Sequence, residues 1–253
     1  MAATQKLPEP QADHVQASWA ADLEARHGAQ SPQAIIELAA RDLFPGAITA
    51  VSSFGADSAV LLHMLAKVDP ALPVIFLDTG QHFPELLAYR DALVADLGLT
   101  GLRVLSPEPA SLAAADPLGD LHASDTDACC AIRKVAPMAR AVEPFAAWLT
   151  GRKRFQSATR ASLPVFEAVG PRLRINPLAG WEAADLAHYM RRNNLRKNPL
   201  VAYGYLSIGC LPCTKPVGHG EDGRAGRWAG HAKTECGIHL SGLAQPLAAA
   251  GQS

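Results

Sequence analysis

Short runs of strand-forming residues at 47–51 (AITAV), 73–77 (PVIFL) and 102–105 (LRVL) are separated by stretches of helical character. The first two runs are continuously apolar rather than alternating, so neither face of the strand is patterned for water. Parallel neighbours need a crossover of a dozen or more residues, and a helix supplies it. The alternation therefore predicts a βαβαβ unit: an α/β fold with a twisted parallel sheet flanked by helices.

The same reading places a loose arm at 1–12 and helices at 14–27 and 32–43. Ser31 is the N-cap of the second helix and Pro32 its first residue. Helices follow the first two strands, at 59–68 and 84–97. A mostly polar loop is expected up to residue 126, then a helix over 129–142 that Pro137 kinks or divides. A strand at 145–150 leads into the basic loop GRKRFQSATRA, a hairpin at 164–175 and a helix at 181–194. Glycines at 218, 220, 223, 226 and 230 predict a mobile tail. The chain thus divides into an N-terminal arm with helices (1–46), an α/β domain (47–215) and a flexible tail (216–253).

Composition excludes several classes. Hydrophobic residues make up 49% and charged residues 19% of the 253, which rules out a mostly disordered chain. A net charge of −1 argues against nucleic-acid binding driven by overall charge. No apolar run approaches the roughly 20 residues that span a bilayer. The N-terminal MAATQKLPEPQADH lacks the apolar core of a secretory signal. A soluble, cytoplasmic protein is expected, with no membrane or nucleic-acid partner.

Chemistry concentrates in a few segments. The loop after the first strand, Ser52-Ser53-Phe54-Gly55-Ala56-Asp57-Ser58, is laid out as an anion site: loop amides, hydroxyls and a helix N-terminus. It suits equally an ordinary βα turn capped by Asp57 or Ser58. It is not a Walker A loop, because no Gly-Lys-Ser/Thr follows. Asp78-Thr79-Gly80 follows the second strand, and ligands in open α/β sheets bind beyond strand carboxyl ends.

Cys129-Cys130 and Cys210-x-x-Cys213 form the strongest metal signal, four thiolates suited to an iron–sulfur cluster or zinc. Adjacent cysteines diverge and are unusual in simple zinc sites, which favours a cluster. A thioredoxin-like dithiol is the other reading of Cys210–Cys213, and its place late in the chain argues against it. Cys236 stands apart, with Lys233, His239, Arg224 and Arg227 near it in sequence. Positive neighbours would lower its pKa and make a nucleophilic thiolate; an incidental exposed cysteine is the alternative. If the helix after Cys130 is regular, Lys134 shares its face. Arg152, Lys153, Arg154 and Arg160 form either a phosphate-holding loop or a solvated basic face.

These segments together resemble the cluster-containing branch of the PAPS/APS reductase family, the assimilatory adenylyl-sulfate reductases. The matching pieces are SSFGADS, LDTG, CCAIRK, the basic loop with QS, NPL, GYLSIGCLPCT, RAGRW and KTECGIH, in family order over about 47–240. Phe155 departs from the pattern, standing where many relatives carry an acidic residue. The resemblance implies an adenine-nucleotide α-hydrolase-like fold and reduction of adenylyl sulfate to sulfite and AMP in sulfate assimilation. It implies that Cys236 is the catalytic nucleophile, forming an S-sulfocysteine that thioredoxin or glutaredoxin resolves. Cys129, Cys130, Cys210 and Cys213 would hold a [4Fe-4S] cluster. Lys134, Arg224, Arg227 and His239 would contact the phosphosulfate, and Arg160 would be the arginine of the substrate loop. Ser52 and Ser53, with Leu77, Asp78, Thr79 and Gly80, would line the nucleotide pocket. A homo-oligomer is compatible with this reading. The alternatives are PAPS as substrate, a PP-loop ATP pyrophosphatase such as a cluster-dependent tRNA thiolase, and a non-enzymatic cluster or zinc protein.

Overall fold

The structure, a computed structural model, describes residues 9–218, 220–228, 233 and 235–239. Helix α1 (Glu9–His27) begins earlier than expected, so part of the expected arm is helical. Pro10 lies in its first turn, where a missing N–H removes no helical bond. Residues 1–8 lie outside the described residues. Helix α2 (Pro32–Glu37) is capped as expected: Ser31 Oγ accepts from the Ala34 amide at 3.3 Å. The expected single helix continues instead as wide π-helical turns over Leu38–Leu43.

Strand β1 (Ile48–Val51), helix α3 (Ser58–Val68), β2 (Val74–Leu77), α4 (Pro84–Leu97) and β3 (Leu102–Leu105) follow as the alternation predicts. Helix α4 ends because Gly98 takes a left-handed φ of 64°. Its amide and that of Leu99 return to the open carbonyls of the last turn. The expected loop before residue 126 contains α5 (Pro109–Ala115), α6 (Leu121–Ser124) and α7 (Thr126–Cys130). Such short helices are not stable by propensity and carry no amphipathic repeat. Local and tertiary partners fix them. The Asp125 carboxylate caps α7 through the Asp127 and Ala128 amides. Asp116 forms a buried pair with Arg133.

Past α7 the helix widens into a π turn (Ala131–Val135) before α8 (Ala136–Val142). Pro137 cannot donate one helical bond, and the wider turn ahead of it absorbs the break. Strand β4 (Ala147–Thr150), the hairpin β5 (Phe166–Val169) and β6 (Arg172–Ile175), and helix α9 (Ala183–Arg192) complete the framework.

The sheet order is β3-β2-β1-β4-β6-β5, parallel except for β5, which pairs antiparallel with β6. Alternate residues serve opposite faces. Val74, Phe76, Ala147 and Leu149 enter the larger core, which also holds Ile35, Leu62 and Met64. Ile75, Leu77 and Trp148 enter the smaller core with Met138 and Val142 of α8. Both faces are covered, which explains why the central strands are apolar throughout. The exposed edge is protected locally: Glu24 of α1 accepts the Phe166 amide of β5 at 2.9 Å. No helix among the described residues is long and apolar enough to cross a membrane.

Candidate active site

From β1 the chain builds outward through β2 to β3, whereas β4 adds on the other side of β1. The carboxyl ends of β1 and β4 therefore flank a topological switch point, where open α/β sheets form a crevice. A cavity of about 720 Å³ opens there. Its wall includes Ser52, Ser53, Leu77, Lys134, Arg160, Arg224, Arg227 and Cys236.

The β1 loop is a built turn rather than a plain connection. Ser52 Oγ accepts from the Phe54 amide at 3.2 Å. Phe54 holds a left-handed φ of 50°, unusual for an aromatic residue, and is fully buried. Its ring meets Phe76 edge-on at 5.6 Å, and Asn198 Nδ2 donates to its carbonyl at 3.1 Å. Surrounding packing thus over-determines a costly backbone conformation. Asp57 is the N-cap residue of α3 yet makes no side-chain capping hydrogen bond. Asp57 instead pairs with Lys153, whose side chain is buried, joining the β1 and β4 loops.

The β2 turn divides between the cavity and the cysteines. Leu77 lines the cavity, and its carbonyl accepts from His82 Nε2 at 2.9 Å. Asp78, Thr79 and Gly80 are not on the wall. Asp78 accepts the Gly80 amide at 2.9 Å, Gly80 has a φ of 69°, and Thr79 Oγ1 lies 3.3 Å from Cys210 Sγ. Arg133 donates to the Thr79 carbonyl at 2.7 Å, turning this segment toward the thiols.

Arg152, Lys153 and Arg160 of the basic loop are buried rather than solvated, whereas Arg154 is exposed. Arg152 pairs with Glu167 at 2.9 Å, and Arg154 donates to the Leu163 carbonyl at 2.8 Å. Arg160 forms a buried pair with Glu235 at 2.7 Å. Glu167 also receives Arg174, and Thr150 donates to Asn176 beside it at 2.6 Å. This polar network lies beneath the β4 side of the site. Phe155, the departure noted above, lies on the cavity wall and is partly exposed.

The cysteines converge from distant segments. Cys129, Cys130, Cys210 and Cys236 are buried, Cys213 is half-buried, and all are free thiols. The two adjacent side chains diverge. Cys129 lies within electrostatic reach of Cys210 and Cys213, whereas Cys130 hydrogen-bonds Cys236. Burial holds the Cys129 and Cys213 thiols above their ordinary pKa. Among the described residues, no three His, Cys, Asp or Glu side chains are placed to hold a single metal ion. Burial opposes the Lys134 ammonium, but Cys210, Cys236 and Cys130 outweigh it and hold its pKa up. Cys236 is pushed well below a normal thiol. The Cys130 hydrogen bond is the main cause; Lys134, the Ile238 amide and Arg227 act with it against burial.

The segment after Cys213 folds back along it. Lys215 donates to the Gly226 carbonyl at 2.8 Å, and Trp228 donates to the Cys213 carbonyl at 3.1 Å. A Cβ on Gly226 would meet the Lys215 carbonyl oxygen at 2.0 Å, so this glycine serves close approach rather than the freedom first inferred. Arg227 stacks over Trp228 at 4.3 Å. Gly237–His239 forms a tight turn next to the π turn. The His239 side chain and residues 229–232, including Gly230, lie outside the described residues.

Sequence reasoning assigned no role to Glu235, Glu167 or Asn198. Asn198 stood in the NPL motif, and Glu235 stood beside Cys236. Neither position revealed its partner, which lies 144 residues away for Asn198 and 75 for Glu235.

The profile of the phosphoadenosine phosphosulfate reductase domain matches residues 47–216. An adenosine 5′-phosphosulfate reductase of Mesorhizobium japonicum is 68% identical over 92% of this chain and 91% of its own. The crystal structure of a phosphoadenylyl-sulfate reductase from Candida auris, a phosphate complex, aligns with a TM-score of 0.66 at 29% identity. That alignment covers 85% of this chain and all of the other. An FMN adenylyltransferase of Candida glabrata, solved with FMN and an ATP analogue, has a TM-score of 0.53 at 16% identity over 84% of this chain and 68% of its own. It shares the fold alone. The fold is adenine-nucleotide α-hydrolase-like, and the chain belongs to the phosphoadenosine phosphosulfate reductase domain family.

Proposed function

We propose that this protein reduces adenylyl sulfate to sulfite and AMP in sulfate assimilation, through a covalent intermediate on Cys236. The observation that carries this reading is the buried Cys236 sulfur on the wall of the switch-point cavity, with Lys134 and Arg227 on the same wall. The Cys236 thiolate attacks the sulfate sulfur, the S–O bond to AMP breaks, and an S-sulfocysteine remains. Sulfonyl oxygens repel an incoming anion, so the cations of Lys134, Arg224 and Arg227 on the wall lower the barrier. A thiolate of thioredoxin or glutaredoxin then attacks the Cys236 sulfur. Sulfite leaves with the electron pair of the S–S bond, and the second thiol of the donor resolves the mixed disulfide. The nucleotide binds against the β1 loop and Leu77.

Cys129, Cys130, Cys210 and Cys213 would hold a [4Fe-4S] cluster. Cys129 lies within electrostatic reach of Cys210 and Cys213, and Cys130 shares Lys134 and Arg227 with Cys210; these soft donors have the chemistry that group takes. When bound, the cluster would tie the two cysteine segments together and set the local field. With Cys130 ligated, Lys134, Arg227 and the Ile238 amide would be the groups left to stabilise the Cys236 thiolate. Five free thiols suit the reducing cytoplasm.

The test is intact-protein mass after anaerobic incubation of iron-loaded protein with adenylyl sulfate and no added thiol. The expected result is one SO₃ group on Cys236, released as sulfite by thioredoxin and absent in Cys236→Ser. An adduct with PAPS alone would change the substrate. No adduct with either nucleotide would overturn the reading.

A further inference from the structure

We propose that Glu235 is a positioning residue that seats Cys236 at the cavity by clasping the basic loop, so that loop and nucleophile meet the substrate as one unit. The proposal rests on Cys236 being the nucleophile. Glu235 Oε1 accepts from Ser157 Oγ at 3.1 Å, Thr159 Oγ1 at 3.2 Å and Arg160 Nε at 2.8 Å. Its Oε2 accepts from Arg160 Nη2 at 2.7 Å and lies 3.5 Å from Arg224 Nη2. Arg160 Nη1 is tied to Gln156, so the guanidinium is held on three sides. The Glu235 side chain is only 10% exposed and that of Arg160 only 5%.

Glu235 is not part of the cavity wall, whereas Arg160 and Cys236 both are. Consecutive Cα atoms are about 3.8 Å apart, so fixing Glu235 leaves the Cys236 sulfur little independent reach. A negative group beside anion-binding arginines weakens the field an anionic substrate would feel. Its presence there is explained by what it holds: the side-chain donors of a loop 75 residues earlier in the chain. Burial opposes the charge, and Arg160, Arg224 and Ser157 outweigh it, keeping Glu235 ionised.

The test uses the full iron-loaded chain and two readouts. The first is the rate at which iodoacetamide alkylates Cys236 without substrate, taken at its high-pH plateau and mapped to the peptide. The second is the split between kcat and KM for adenylyl sulfate. Glu235→Gln should raise the plateau and lower kcat by about tenfold each, the factor expected for a lost charge-assisted hydrogen bond, with KM unchanged or lowered because the negative charge beside the arginines is gone. Glu235→Asp, which keeps the charge, should fall between it and the parent. If Glu235→Gln does not fold, Ser157→Ala/Thr159→Val leaves the Arg160 pair intact and should shift both readouts the same way by a smaller factor. A parental plateau in these variants would overturn the proposal, as would a rise in KM alone. Alkylation needs no substrate, so a protein that forms no sulfite would refute the nucleophile while the clasp is still scored.

Discussion

The cavity has two ends held by different means. At the β1–β4 end, short loops leave adjacent strands and are fixed by backbone geometry, the left-handed Phe54 and the Asp57–Lys153 pair. At the cysteine end, segments around residues 130, 210 and 236 meet mainly through side chains, and their sulfurs and cations set one another's charge. The first end is a product of the sheet. The second is an assembly on top of it, so substitutions there should change chemistry more than folding.

The largest expected effect breaks the cysteine end alone. Cys130→Ala should lose iron and visible absorbance while far-UV circular dichroism and AMP binding persist. Full iron content and retained colour would remove Cys130 from the ligand set. At the other end, Asp57→Asn leaves the buried Lys153 ammonium without its partner and should cost about 3 kcal/mol in urea unfolding. Adding Lys153→Met should recover most of that loss, with iron content unchanged throughout. If the double variant is no more stable than the single one, the pair is not what joins these loops.

The smallest effect is a pH dependence that sharpens the contrast. Burial opposes the Glu167 carboxylate, but Arg174 and Arg152 outweigh it and hold its pKa below the ordinary value. Its folded pKa is therefore below the unfolded one. The stability it contributes is fully present above about pH 4.3 and is lost as pH falls through the lower folded value. Glu167→Gln should flatten the acid limb of melting temperature below about pH 4.3, as the pH falls through the lower folded value. An acid limb parallel to the parent's would place the proton uptake at other carboxylates.

Much of the framework was legible because its signals are local. The span of α4 and β3 follows from Pro84, Gly98 and the run of strand formers, each acting within a few residues. The Ser31 cap and the β5–β6 hairpin are equally local. Helices α5 to α7 leave no signal in the sequence, because they lack a repeat and depend on Asp116 meeting Arg133. The start of α1 within the expected arm of 1–12 is hidden for a similar reason: the helix has polar and apolar residues spread round it and is recognised by its contact with β5. In the site, cysteine spacing grouped the thiols by type. Asp78, Thr79 and Gly80 looked like pocket residues from their place after a strand, yet the turn is drawn toward Cys210 by Arg133.

The strand–helix alternation, the parallel sheet it requires and the inventory of reactive groups can be read along the chain. These depend on periodicity and residue chemistry, which a linear reading contains. Which charges meet depends on the folded arrangement. The Lys153 ammonium finds Asp57, Arg160 finds Glu235, and Cys130 turns from its neighbour toward Cys236. Such pairings act over a few ångströms between residues that can be scores of positions apart. Ionic and thiol interactions carry no periodic signature along the chain, so folding alone fixes them.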